Sequence, residues 1–113
     1  HPSTIWCRQN VKQYYWLYNH MIALGDEYTK RYGKKHLSIE KCWWPLSHRP
    51  PGIPEKGMTK MPQCMPDEFK EECSVSAYRH FYNVDKRRSF KCVWTDREEP
   101  QWWKEHICLE VSL

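Results

Sequence analysis

The chain has 113 residues, a length that builds one small hydrophobic core, and 18 Lys+Arg against 14 Asp+Glu give a formal charge of +4. Mean hydropathy is −0.92 and the pI is near 8.7, so the balance is mildly basic and suits a phosphate-rich partner without requiring one. No apolar run is long enough to span a membrane and no signal-peptide pattern opens the chain, so no membrane association is expected. Because residue 1 is His rather than Met, a processed product or a fragment is expected.

In chain order, "HPSTIWC" predicts a short helical turn with Pro2 near its start, where a missing N–H costs little. From Asn10 to Tyr32 the apolar positions Val11, Tyr14, Tyr15, Tyr18, Met21, Ile22, Tyr28 and Tyr32 recur at steps of three and four. That spacing predicts an amphipathic helix, N-capped by Asn10 and stopped by Gly33. Ser38 is the expected cap of a short helix over "IEKCWW", ended by Pro45.

Residues 45–66 carry six of the eight prolines and two of the four glycines, which predicts a long loop draped over the central helix. Helix is expected again near "PDEFKEEC", then from Ser74 or Ser76 through "AYRHFYNVDKRR". The apolar line of that last helix would be Val75, Tyr78, Phe81, Tyr82 and Val84. Phe90, Val93 and Trp94 follow, before a short turn around Pro100. No pair of alternating strands is present. The expected class is therefore mainly α: a small single-domain helical bundle over residues 1–113, with a proline-rich loop at 45–66.

The six cysteines form no C-x-x-C and none has a zinc-finger partner histidine. Insect odorant-binding proteins are small six-cysteine helical carriers of similar size, but their C-x-x-x-C step is not found here. Reduced, mostly buried cysteines are expected, because 7 Trp, 7 Tyr and 3 Phe already supply a core. The alternative is a secreted, disulfide-stabilised binding module. The histidines are scattered without H-x-x-x-H, and no phosphate-cradling glycine loop or nucleophile elbow occurs. Neither a metal nor another cofactor is expected.

Two clusters carry candidate chemistry. "EYTKRYGKKH", residues 27–36, packs Glu27, Tyr28, Tyr32 and His36 among Lys30, Arg31, Lys34 and Lys35. Gln13, His20, Glu27 and Arg31 share one helix edge, and Glu27 and Arg31 are an i,i+4 pair. Either this is an ordinary surface ion pair, or Arg31 holds the charge of a carboxylate that activates water. The second cluster sets Arg79, His80, Lys86, Arg87, Arg88 and Lys91 among Tyr78, Phe81, Tyr82 and Phe90. Cations for phosphates and rings for bases suit nucleic acid, while a wet basic face over a buried aromatic face is the plain alternative.

"HPSTIW", "YYWLYNHMIALGDEYTKRYGKKH", "MPQCMPDEFK", "SAYRHFY" and "REEPQWW", in this order, resemble a small-protein family common in tailed phages and sometimes labelled pyrimidine-dimer DNA glycosylase-like. The chain resembles that family from its His-Pro motif onward, where members carry a further portion ahead of it. The extra cysteines and the "KEHICLEVSL" tail depart from the pattern. The resemblance places His1, Glu27, Tyr28, Arg31, Tyr32, Lys34, His36, Asp67, Tyr78 and Arg79 on the functional surface. It implies a phage-encoded DNA-binding protein in the cytoplasm of an infected bacterial host, with base excision on damaged or modified DNA as the possible activity.

In that reading Glu27, with Asp67 second, is the carboxylate that stabilises charge on the sugar and directs water. Lys34 or Lys86 is the amine, and His36 the proton relay. Arg31, Lys35, Arg79, Lys86, Arg87, Arg88 and Lys91 contact DNA, and Tyr28, Tyr32 and Tyr78 stack on bases. The competing expectation is a non-enzymatic phage protein that binds a host protein through its aromatic surface.

Overall fold

The computed structural model describes residues 1–89 and 91–105, so Phe90, His106 and Cys108 lie outside the described residues. The fold is mainly α, with no strand among the described residues. The chain divides into two compact units, His1–Pro62 and Gln63–Leu113.

The first unit is built on α1 (Pro2–Cys7), α2 (Val11–Tyr32) and α3 (Leu37–Leu46). Both predicted ends of α2 hold. The Asn10 side chain accepts from Gln13 N at 3.0 Å, and Gly33 takes the left-handed conformation (φ 69°) while its N–H closes on Thr29 O at 2.8 Å. An L side chain at Gly33 would meet backbone strain, which is why glycine ends this helix.

Gln13 is the hub of this unit and is fully buried (0 % exposed). Its Oε1 accepts from Asn10 Nδ2, Thr59 N and Thr59 Oγ1, and its Nε2 donates to Trp6 O. Asn10 Nδ2 also reaches Gly57 O, Val11 N reaches Pro54 O, and Trp6 Nε1 reaches Thr59 O. The 54–59 stretch of the loop is thus pinned on the start of α2 by polar bonds. A proline-rich segment has few donors of its own, so side-chain amides supply what a backbone ladder would. Trp6 (4 % exposed) fills the apolar part of this junction, edge-on to Trp16 at 5.7 Å.

Three expectations change here. Gln13 belongs to the core rather than to a functional edge with His20, Glu27 and Arg31. α3 begins one residue before Ser38, because the His36 imidazole caps it: Nδ1 accepts from Ser38 N at 3.1 Å. Pro45 lies inside α3 rather than ending it, so close to the C-terminus that only one backbone bond is forfeited. His1 caps α1 by the same device, through Ser3 N at 3.1 Å.

The second unit opens with a 3₁₀ turn, Asp67–Phe69, where a longer helix was expected. Gln63 spans this turn, donating to Glu71 O (2.6 Å) and accepting from Glu71 N (3.0 Å). α4 (Ser74–Phe81) continues through a π-helical turn, Tyr82–Lys86, into the short α5 (Arg87–Ser89). Its buried line is Ser74, Ala77 and Phe81, whereas Val75 and Tyr82 are exposed at 47 % and 45 %. Phe69 packs on Phe81 (5.2 Å between rings) and Trp94 on Trp103 (5.7 Å). The turn around Pro100 leads into helical residues 101–105.

The five described cysteines are free thiols, and none is buried: Cys64 and Cys73 are exposed, while Cys7, Cys42 and Cys92 are partly so. The expectation of mostly buried cysteines is therefore corrected.

Candidate nucleic-acid interface

The last two turns of α2 gather the first cluster. Glu27 Oε1 and Arg31 Nε are 2.9 Å apart with side chains 26 % and 23 % exposed, so the pair is only partly open to water. Helical spacing makes this contact, since residues four apart lie one above the other. Tyr28 follows on the adjoining face. Its ring lies 4.8 Å from that of Tyr32 and 4.8 Å, edge-on, from the His36 imidazole. Tyr32 stays 65 % exposed. Gly33 then turns the chain, and Lys34 and Lys35 emerge exposed beside these rings.

His36 is brought to the cluster, but its Nδ1 lone pair is engaged by the α3 cap. In the neutral ring the proton then sits on Nε2, the one nitrogen left to meet a ligand.

The second unit distributes its candidates differently. Asp67 opens the 3₁₀ turn with its side chain 95 % exposed and 2.8 Å from Lys70 Nζ. The Lys70 hydrogen bond, then its charge, holds the Asp67 carboxyl below the usual carboxylate range. Asp67 is therefore an ionised surface group. Glu27, Lys34 and His36 belong to the first unit and Asp67 to the second.

Tyr78 is half-buried and its hydroxyl accepts from Cys64 N at 3.1 Å; burial, the largest influence, pushes this phenol up. Arg87 stacks on Trp103 (3.4 Å from the ring centre) and donates to Trp103 O and Asn83 Oδ1. Arg79 lies over Trp102 at 5.7 Å and Lys86 over Phe81 at 5.1 Å. Arg88 Nε donates to Val84 O, while its side chain and that of Lys91 remain exposed. Of the candidate cations of this unit, Arg79, Arg88 and Lys91 face water, while Arg87 is built into the indole core.

Sequence reasoning missed a cleft of about 670 Å³ beside the first cluster, between α2 and α3. Leu17, Met21, Leu24 and Tyr28 line it from α2, and Cys42 and Leu46 from α3. The Tyr14 hydroxyl donates to Leu46 O (2.7 Å) and that of Tyr18 to Trp43 O (2.9 Å), closing carbonyls at the end of α3. Burial, then the neighbouring Tyr15, pushes the Tyr14 phenol up and keeps it a donor. The available signal was Leu17 and Leu24, apolar residues that fall beside the apolar stripe of α2.

Among the described residues no group of three or more His, Cys, Asp or Glu is placed to hold a metal ion. None of the described helices is long and apolar enough to cross a membrane. No family model, curated protein or solved structure matches this chain.

Proposed function

We propose that the chain is a DNA-binding protein whose α2 end meets an exposed base, and that the bound base is excised by a glycosylase-like reaction. The observation that carries this reading is Tyr32, 65 % exposed and backed by Tyr28, next to a partly buried carboxylate–guanidinium pair and two exposed lysines. An exposed ring offers a stacking surface to any base. Lys34 and Lys35 supply phosphate contacts whose strength falls as salt rises, because bound counterions are released. The resemblance to the tailed-phage family supports the same reading, with an infected bacterial cytoplasm as the setting it suggests.

Chemically, excision breaks the bond between C1′ and the base nitrogen and forms one from C1′ to a water oxygen. Glu27 takes the water proton and balances the positive charge growing on the sugar. The departing base gains overall the proton that Glu27 removes from the water, and His36 Nε2–H is available to hydrogen-bond that base as it leaves. Arg31 Nε, 2.9 Å from Glu27 Oε1, keeps the carboxylate in place.

The test is incubation of the protein with damaged or modified duplex DNA, followed by alkali and a gel, alongside a salt titration of binding. Strand breaks are expected with the native chain and not with Glu27→Gln, which keeps its DNA affinity. Equal cleavage by both removes Glu27 from the reaction. Absence of any salt-sensitive DNA binding removes the whole reading and leaves the host-protein alternative.

A further inference from the structure

The outer side of α3 carries charge and an exposed ring that the fold does not use. Residues 34–49 hold Lys34, Lys35, Lys41 and Arg49 against a single carboxylate, Glu40, so three of the chain's four net positive charges fall there. Glu40 lines a groove against α2 together with Asp26 and Thr29, whereas Lys41 and Trp44 line neither groove beside that helix. Leu37, Lys41 and Trp44 follow at steps of four and three, which sets them on one side of α3. No described carboxylate pairs with Lys34, Lys35 or Lys41, while Arg49 meets Glu55 at 3.3 Å.

Trp44 is 60 % exposed, the most open of the described tryptophans. Its carbonyl accepts from Ser47 Oγ at 2.6 Å and lies 3.0 Å from His48 Nδ1. The rings of Trp43 and His48 flank it at 5.6 and 4.8 Å, both steeply inclined. The indole is therefore braced while most of its surface stays open, which lowers the ordering cost of a stacking partner.

Unpaired cations beside an exposed ring suit a polyanion that also carries flat faces, and nucleic acid is such a polymer. Within a duplex the neighbouring bases cover those faces, so a ring on the convex side of a helix meets only groove edges and phosphates. A single strand leaves them open. We propose that the outer side of α3 is a track for single-stranded DNA, with Trp44 stacking on one base and Lys41 and Arg49 meeting the flanking phosphates. This track rests on the nucleic-acid reading of the α2 end and extends it to a substrate class, an unpaired strand beside the exposed base.

The probe is a labelled deoxythymidine oligomer of about 12 nucleotides, alone and paired with its complement, titrated with the native chain at several salt concentrations. Fluorescence anisotropy is expected to show the single strand bound about tenfold or more tightly than the duplex. Trp44→Ala should weaken the single strand about five- to hundredfold with an unchanged salt slope, and Trp44→Phe should recover part of the loss. Lys41→Gln should lower the slope by about 0.7, the share of one phosphate on a single strand. Thermal melts identify any variant that fails to fold, and the other position then decides. Equal or tighter duplex binding, a preference for the matching ribonucleotide oligomer, or indifference of either folded variant would overturn the track and leave the α2 end its assignment. Absence of all DNA binding would overturn both.

Discussion

At the scale of single residues, Gln13 and Cys73 show how far context departs from residue type. A glutamine on an amphipathic helix reads as surface, yet Gln13 is sealed in by Asn10, Trp6 and Thr59. Nothing local in the sequence announces this, because two of the groups it satisfies come from a loop 46 residues away. Gln13→Leu leaves the Thr59 N–H and the Trp6 carbonyl without that partner. The expected loss is about 2–3 kcal/mol in urea unfolding, while a surface exchange such as Lys12→Gln stays within about 0.5 kcal/mol. Cys73 sits at the N-terminus of α4, where the Ser76 N–H, then the Ser76 side chain and the Val75 N–H, pull its thiol below the ordinary range. A lowered value means more thiolate at neutral pH. Its alkylation, followed by peptide mass spectrometry, should therefore outpace that of Cys64 at neutral pH, although both are exposed. The lead should shrink as pH rises and other thiols ionise. Equal rates at neutral pH would count against the helix-terminus effect.

At the scale of elements, the sequence was most legible where the determinant is local. Asn10 and Gly33 bound α2 as read, because one side-chain acceptor and one left-handed residue suffice. The start of α3 was misread because Ser38 is a common cap, whereas the His36 imidazole, two residues earlier, takes the Ser38 N–H and so draws Leu37 and Ser38 into the helix. This makes a separable prediction about His36. His36→Ala should cost about 1 kcal/mol of stability, and His36→Asn should restore most of it by capping as asparagine does. If the ring also serves the reaction, the asparagine variant is stable yet inactive; full activity in that variant would confine His36 to its structural role. The buried face of α4 was illegible for another reason, which lies within α4 itself, since the π-helical turn begins only at Tyr82. Small Ser74 and Ala77, which make weak hydrophobic anchors, take the interior instead of Val75 and Tyr82.

At the scale of the molecule, the charge of +4 is unevenly committed. Composition revealed the basic residues but not which of them face water, since that depends on where Trp102 and Trp103 fold. Arg87 stacks on one indole and bonds a backbone carbonyl, so its cation serves the second unit's core. Lys34 and Lys35, past the helix stop, point into solvent beside Tyr32. Two kinds of loss are therefore expected from substitutions that look alike on paper. Arg87→Ala should lower the unfolding midpoint, because a stacked, half-buried guanidinium and its bonds disappear. At a temperature where the variant remains folded, its DNA affinity should change little. Lys34→Ala with Lys35→Ala should leave the melting curve in place. It should instead weaken DNA binding and flatten the plot of log affinity against log salt by about 0.9 for each phosphate that is no longer neutralised. The two measurements together separate cations that hold the fold from cations that hold a ligand. If Arg87→Ala changes the salt slope and the double lysine variant does not, the interface belongs on the second unit and the α2 end loses its assignment.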